Sequence, residues 1–361
     1  MDHPMLIKYA SRYVPLLVLA VLLFSIRYFI SRSAIEAQNA PPSSSSYSYS
    51  VGEQALYDLT ILSSAEGWAV GGSIVNRIDT NGRVLQVISR QGLIWHYAAG
   101  SWTNSTTIAL PLLSVAMTGT QDGWAVGYGG ELMHYDGHAW TGVSSPTQVN
   151  LRAVVALSIQ DAWAVGSGGM ILHYDGTNWR EVASPVHANL SSISMPTADD
   201  GWIVGDGGTL LHYQGQHWVQ VASPTRETLN RVTMLSADEG WAVGANETIL
   251  HYRDGTWESV DVPSRTSSLS TSGTGSTLYD IGMTSPGSGW IVGTANLLYY
   301  NHEIWSPIQS GMLDPAYSSS YGTGTLYSLI MLSAQEGWAI GEANDNILIL
   351  HYQAGVWHHY Y

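Results

Sequence analysis

The chain has 361 residues, a formal net charge of −15, 45% hydrophobic residues and no cysteine. From residue 38 onward it holds 26 acidic residues, nine arginines and no lysine, so nucleic acid and anionic lipid surfaces are poor partners. Without cysteine, neither a lipoprotein anchor nor a disulfide framework can form.

The first predicted element is a hydrophobic helix at residues 14–30, after a short N-terminal segment at residues 1–13. It is slightly shorter than the roughly 20 residues of a full membrane span. An uncleaved anchor and a signal peptide cleaved after Ala37 both fit it. We favour the anchor, because positive residues such as Arg32 follow the apolar run. In both cases the rest of the chain is exported, and the Ser-, Pro- and Tyr-rich residues 31–51 are predicted to be a linker.

Residues 52–361 contain a sevenfold repeat. The phrase Gly-Trp-Ala-Val-Gly, or a close variant, recurs seven times, and the middle repeats keep a period of 39 residues. A period in this range is typical of solenoids, propellers and arrays. A second tryptophan follows each of the first. The paired tryptophans are Trp68 and Trp102, Trp124 and Trp140, Trp163 and Trp179, Trp202 and Trp218, Trp241 and Trp257, Trp290 and Trp305, and Trp338 and Trp357.

Within one repeat, residues 151–157, 163–166, 170–174 and 179–182 are apolar runs of strand length. Asp-Gly pairs lie between such runs and predict tight turns. The pairs start at Asp122, Asp136, Asp175 and Asp254. Four antiparallel strands per repeat describe a propeller blade, so the sequence predicts an all-β, seven-bladed propeller. We expect the ring to close by side-chain packing alone or with a clasp from residues 47–51.

The unit Asp-Gly-Trp-Ala-Val-Gly, followed by Gly-x-Ile-Leu-His-Tyr-Asp-Gly-x-x-Trp, resembles the Asp-box and bacterial-neuraminidase-repeat propellers. It resembles most closely the photosystem II stability and assembly factor family, over roughly residues 52–361. The resemblance implies a non-enzymatic propeller without a cofactor that helps to assemble a membrane complex. That family is associated with an arginine-rich patch, whereas the arginines here are scattered, with Arg152 and Arg231 in first strands of their blades.

One histidine recurs at the same place in most blades, and one per blade around a ring does not converge on a metal ion. We therefore expect no metal site and a structural role for these histidines, which are His96, His134, His173, His212, His251 and His351. The aspartates of the Asp-Gly turns are expected to cap their own turns through backbone N–H groups rather than to act in catalysis.

The repeats differ most in blades six, seven and one. Insertions occur at residues 73–90, 264–277, 310–325 and about 343–346. We expect all four to emerge on one face of the propeller, where loops held by a rigid scaffold carry function. Asn81-Gly82 predicts a protruding hairpin in the first of them.

The first strands of the same three blades carry a tyrosine that blades two to five lack, and in two of them an aspartate follows it. Tyrosine is favoured at interfaces for its rigid area and polar tip, so we predict an aromatic and acidic mouth beside the long loops. The alternative is that the tyrosines pack between blades and that the Ser/Gly/Thr-rich insertions are linkers. The candidate binding residues are Tyr57, Asp58, Tyr279, Asp280, Tyr327, Tyr317, Tyr321 and Asn81.

Three classes of function fit these patterns. The first, which we favour, is a membrane-anchored extracytoplasmic platform that binds protein partners. The second is a carbohydrate-binding propeller, for which Trp95, outside the paired columns, is an extra candidate ring. The third is a sialidase-like glycoside hydrolase, which needs two carboxylates about 5 to 10 Å apart or a tyrosine nucleophile with an arginine cluster. Asp58 and Asp280 are the candidate carboxylates. No nucleophile elbow or His-Glu-x-x-His motif is present, so we expect no catalysis.

Overall fold

The computed structural model describes residues 47–79, 84–261, 276–294, 296–301, 304–308, 311–314 and 324–360. They form seven four-stranded antiparallel sheets of consecutive strands, which confirms the predicted seven-bladed propeller. The hydrophobic helix predicted at residues 14–30 lies outside the described residues. Among the residues that are described, no helix is long and apolar enough to cross a membrane.

Each blade consists of four strands. Blade one contains β1 (Tyr47–Ser63), β2 (Glu66–Asp79), β3 (Val84–Ala98) and β4 (Ser101–Ile108), and blade two contains β5 (Leu112–Gly119), β6 (Asp122–Gly127), β7 (Leu132–Tyr135) and β8 (Trp140–Gly142). Blade three contains β9 (Leu151–Ser158), β10 (Asp161–Gly166), β11 (Ile171–Tyr174) and β12 (Trp179–Glu181), and blade four contains β13 (Leu190–Ser194), β14 (Gly201–Gly205), β15 (Leu210–Gln214) and β16 (His217–Gln220). Blade five contains β17 (Leu229–Met234), β18 (Gly240–Gly244), β19 (Ile249–Arg253) and β20 (Thr256–Ser259). Blade six contains β21 (Leu278–Ser285), β22 (Ser288–Gly293), β23 (Asn296–Asn301) and β24 (Ile304–Pro307), and blade seven contains β25 (Thr325–Ser333), β26 (Glu336–Ala343), β27 (Asn346–Gln353) and β28 (Val356–His359).

The chain divides into two compact units. Residues 49–77 and 86–361 form the propeller. The described residues of the other unit, 47–48, 78–79 and 84–85, are strand residues of β1, β2 and β3. The insertion at residues 73–90 therefore continues strands β2 and β3, while Asn81 lies outside the described residues.

Aromatic rings connect each blade to the next. Trp202 of blade four stacks on His212 of its own blade, with ring centroids 4.1 Å apart. Its other neighbours are Tyr252 and Trp257 of blade five, at 4.8 and 5.3 Å. The first tryptophan of every blade makes the corresponding contacts, and such pairs add about 0.5–1.5 kcal/mol each beyond the area they bury. The paired tryptophan columns are thus the packing between blades.

The same contacts close the ring. Trp338 of blade seven lies 4.9 Å from Tyr97 and 5.9 Å from Trp102 of blade one, between ring centroids. Tyr360 packs on Trp338 at 4.8 Å, and its hydroxyl donates to the carbonyl of Gly100. Strand β1, which begins at Tyr47, belongs to the sheet of blade one, and the sheet of blade seven contains only its own strands in the described part of the chain. Side-chain packing and one backbone hydrogen bond, from the N–H of Gln54 in β1 to the carbonyl of Asp345 in blade seven, therefore join the two ends. In the described part of the chain, residues 47–51 add no strand to the sheet of blade seven.

The glycines of the repeated phrase mark close backbone approaches. A Cβ atom at Gly244, the last glycine of the phrase in blade five, would lie 2.0 Å from the carbonyl oxygen of Thr228. The first glycine, Gly240, lies under the sulfur of Met234, which a Cβ atom would meet at 2.2 Å. The last glycine of the phrase is present in all seven blades because backbone occupies the side-chain space, whereas the first position also accepts Ala162 in blade three.

The turns agree with the predictions in part. Gly137 and Gly176 have φ angles of 88° and 85°, as tight turns require. The prediction for Asp122 is wrong, because it lies in strand β6. Short 3-10 turns, which the sequence analysis does not predict, join the second and third strands in blades two to five. In blade seven the corresponding insertion forms a hairpin turn at Asn344 and Asp345, with φ angles of 52° and 65°.

Candidate functional site

A β-bulge near the start of the first strand shapes the propeller axis. In blade six, Leu278 pairs with Gly293 and Asp280 pairs with Val292, which leaves Tyr279 as the extra residue. Blades two to seven share this bulge. A bulge sets two residues opposite one and re-aims a side chain. Two successive positions of each first strand therefore make contacts across the blades at the axis.

The first of these positions forms the tyrosine cluster, defined as Tyr57, Tyr279 and Tyr327. The ring of Tyr327 lies between the other two, with centroids 5.6 Å from Tyr57 and 5.3 Å from Tyr279, both edge to face. All three are half-buried. The structure thus brings the three predicted tyrosines together across blades six, seven and one. Whether they bind a ligand stays a prediction.

Tyr327 is held by an acidic residue. Its hydroxyl donates to Glu342 Oε1 over 2.5 Å. Burial and then the carboxylate of Glu342 raise the pKa of Tyr327 well above its usual range. A tyrosine that resists ionisation is suited to donate a hydrogen bond and is a poor nucleophile.

The second position forms the axial charge network, defined as Asp58, Arg231, Asp280 and Ser328. Arg231 Nε lies 2.9 Å from Asp280 Oδ1, and its Nη2 lies 3.5 Å from Asp58 Oδ1. The hydroxyl of Ser328 lies 3.0 Å from Asp58 Oδ1 and 2.8 Å from Asp280 Oδ2. Backbone N–H groups also donate to both carboxylates, from Val115 to Asp58 and from Leu329 to Asp280.

Burial dominates the electrostatics of this network. Asp58 is 4% exposed and Asp280 is 1% exposed. Burial raises the pKa of Asp280, although Arg231 opposes it. For Arg231, burial would lower the pKa, but the two carboxylates together raise it. The sequence analysis expects these aspartates at an exposed acidic mouth, but the structure has both of them buried with their oxygens hydrogen-bonded.

The same geometry bears on the glycosidase alternative. Both carboxylates touch one serine hydroxyl, so they lie well within the roughly 10 Å that glycosidases require. Each is buried and accepts from Arg231, from a serine or from the backbone, so neither faces a substrate. The first strands carry two arginines, Arg152 and Arg231, and Arg231 is bound to the carboxylates. The arrangement of these two carboxylates is suited to hold the first strands together at the axis.

The histidines have partners that the sequence analysis missed. His134 Nε2 lies 2.8 Å from Asp122 Oδ1, and blades one, three, four and five repeat this pair with an acidic residue two positions before the first tryptophan. In blade six both members differ together, as Ser288 and Tyr299. That joint difference was visible in the sequence. In blade seven, burial lowers the pKa of His351. The expected structural role of the histidines is confirmed.

The structure also shows the roles of the turn aspartates and the burial of Trp95. Asp136 accepts from the backbone N–H groups of His138 and Ala139, both at 2.9 Å, and these bonds lower its pKa. Asp175 caps its turn in the same way, which confirms the capping role for these two residues. Trp95 is 6% exposed, so it is not the exposed ring that a sugar-binding surface would need. Tyr317, Tyr321 and Asn81 lie outside the described residues.

The chain shares its fold with proteins of known structure. No family model and no curated protein matches it. Among solved structures, it is similar to "YCF48 bound to D1 peptide", with a TM-score of 0.61 and 17% identity over 88% of this chain and 96% of that chain. YCF48 from Cyanidioschyzon merolae has a TM-score of 0.59 and 15% identity, over 84% and 98% of the two chains. The WD40 β-propeller domain of Doa1 has a TM-score of 0.59 and 11% identity, over 85% and 97%. Identities this low show the propeller fold alone.

Proposed function

We propose that the chain is a non-catalytic interaction platform, resembling the photosystem II assembly factors, that binds a segment of a protein partner at the tyrosine cluster. Residues 14–30 anchor it in the membrane, with the propeller on the extracytoplasmic side. The fold likeness to a YCF48 chain described as bound to D1 peptide supports a peptide as the class of ligand.

The observation that carries the proposal is the asymmetry of the axis. Blades two to five build the same bulged strand with Leu113, Arg152, Ser191 and Asn230 in place of the tyrosines. Packing of a blade therefore does not require a tyrosine at this position. Three half-buried tyrosines in three successive blades provide a rigid aromatic surface with polar tips, which is the composition that protein interfaces favour.

Site-specific photo-crosslinking in the native cell tests this proposal. Benzoylphenylalanine in place of Tyr279 keeps an aromatic ring in the cluster, and the matched control carries the same probe at Thr177, an exposed residue of a regular turn in blade three. We expect a protein partner to crosslink at position 279 and not at position 177, and the additional change Tyr57→Ala to reduce the yield. Capture at neither position, or equally at both, contradicts the proposal.

Cell fractionation tests the anchor separately. We expect the full chain in the membrane fraction and a chain that begins at Glu53, directed to the same compartment by an exchangeable leader, in the soluble fraction. A soluble full-length product cut near Ala37 would instead establish the signal-peptide alternative.

A further inference from the structure

The outer edge of blade one differs from the outer edges of the other blades. Strand β4 has eight residues, whereas the outer strands of blades two to seven have three or four. Its sequence, Ser-Trp-Thr-Asn-Ser-Thr-Thr-Ile, has no charge and no proline. Propellers normally leave only short, protected edges, and a long uncharged edge is a template for another strand.

The outer strands of blades two to five end after three or four residues, and the sequence reaches a proline four residues beyond each end, whereas the proline of blade six is the last residue of its outer strand. A proline lies within six residues after the outer-strand tryptophan in each of them, at Pro146, Pro185, Pro224, Pro263 and Pro307. Proline cannot donate to a strand pair, and it ends or blunts an edge. In blade two the hydroxyl of Ser145 also accepts from the N–H of Thr147, which turns the chain. In blade one the proline, Pro111, also follows the outer strand, but it comes nine residues after Trp102 instead of six or fewer, so eight residues of β4 precede it without a proline.

Blade seven protects its edge by covering it. Leu313 forms a parallel bridge with Trp357 of strand β28. The N–H of Asp314 donates to the carbonyl of Trp357, and the N–H of Trp357 donates to the carbonyl of Met312, each over 2.9 Å. Part of the insertion at residues 310–325 thus lies along the outer edge of this blade. The contact demonstrates that an outer edge of this propeller accepts an added segment of chain.

We propose that the outer edge of β4 is a second docking site, which binds an extended, proline-free segment of a protein partner by strand addition. Among the residues that the structure describes, β4 pairs with β3 alone. A single bulge at Ser105 interrupts that pairing. The exposed side chains of Thr103, Asn104, Ser105 and Thr107 are polar and uncharged, so cross-strand pairs with Thr, Ser or Val fit them. The net charge of −15 repels a segment with acidic residues. The site lies on a different strand from the tyrosine cluster and does not depend on it.

A peptide experiment on the full chain in detergent tests the proposal. The probe is a fluorescein-labelled octapeptide with the sequence of residues 101–108, which is uncharged and rich in β-branched residues, and the control peptide has proline at its third and fifth positions. We expect the first peptide to bind, by fluorescence anisotropy, and to slow amide hydrogen exchange in β4 but not in β8. The proline peptide should do neither, because it cannot form a strand. No slowing in β4, or equal slowing by both peptides, overturns the proposal.

Two lysine variants provide a matched comparison. Thr103 and Thr141 both follow the outer-strand tryptophan, are exposed, and donate from their hydroxyls to a histidine carbonyl, at 3.4 and 3.5 Å. Lysine is a common protector of edge strands, so we expect Thr103→Lys to weaken peptide binding about threefold or more and Thr141→Lys to leave it unchanged. Equal effects of the two variants count against the site. Exchange protection of β4 that grows with protein concentration in the absence of peptide, together with a dimer in sedimentation, would assign the edge to a second copy and overturn the proposal.

Discussion

Arg231 is the one cation of the axial charge network, and replacing it with methionine tests how the network is held. The change keeps a long side chain but leaves Asp58 and Asp280 without a cation. Breaking a buried ion pair by removing one partner costs about 3–5 kcal/mol. We expect the lower end, about 3 kcal/mol, because the Arg231 side chain keeps 30% of its surface exposed while those of the aspartates keep 6% and 2%.

The loss should also depend on pH. Burial already raises the pKa of Asp280 above its unfolded value of about 3.9, and the loss of Arg231, which opposes this shift, raises it further. A raised pKa contributes stability below the unfolded value and loses it as pH rises through the folded value. The free energy of unfolding that Arg231→Met loses relative to the parent chain should therefore be smaller at pH 5.5 than at pH 7.5. The change amounts to at most about 1.4 kcal/mol per pH unit for each proton bound.

Thermal unfolding followed by tryptophan fluorescence measures both effects. For a propeller of about 310 residues, a loss of about 3 kcal/mol corresponds to a fall in Tm of about 5 °C, from an unfolding entropy of about 2.1 cal/mol/K per residue. The control is the chain with Arg231→Met, Asp58→Asn and Asp280→Asn together, which should recover most of the loss because no buried charge remains. Equal Tm values for the parent and Arg231→Met at pH 7.5, or a loss that is the same at both pH values, would refute the reasoning.

Three further predictions concern the propeller itself. Gly244→Ala should lower the free energy of unfolding by about 3 kcal/mol through overpacking. Gly119→Ala should change it little, because the space around Gly119 is open. Urea unfolding of the two variants measures both effects. A double-mutant cycle of His212→Ala and Asp200→Ser should give a coupling free energy of about 1 kcal/mol. Additive losses of stability would show that the two side chains do not interact. Ending the chain before Tyr360 should lower the Tm, because this removes aromatic contacts with blades seven and one that add about 0.5–1.5 kcal/mol each; an unchanged Tm would mean that Tyr360 does not help to close the ring.

The fold was readable from the sequence because its determinants repeat. The tryptophan pair of Trp163 and Trp179 recurs in every blade, with a fixed spacing of 16 residues in blades two to five, so strand number and blade number follow from counting. The axial charge network was not readable. Arg231 meets Asp58 only because the ring closes, and the bulge that sets Tyr279 beside Asp280 is a backbone irregularity that strict alternation along a strand does not indicate.

The outer edge of β4 was readable from the sequence only in part. The prolines at blade edges are plain in the sequence, but they acquire meaning only when strand β4 is seen to be the outermost strand of its sheet. The cover on blade seven was hidden in an insertion whose Ser, Gly and Thr composition suggested a linker. The local sequence pattern thus predicted the strands and the blades. The contacts between blades that are distant in the sequence could be identified only in the folded structure.

The bulges on the first strands have an evolutionary consequence. Each adds a position whose side chain contacts the axis, while the tryptophan columns that hold the blades together lie on other strands. In blades two to five this extra position holds Leu113, Arg152, Ser191 and Asn230, so it accepts different residues while the tryptophans between blades stay the same. The surface that the propeller presents at its axis can therefore change through the extra residues of the bulges, while the strands and the tryptophan columns keep the same fold.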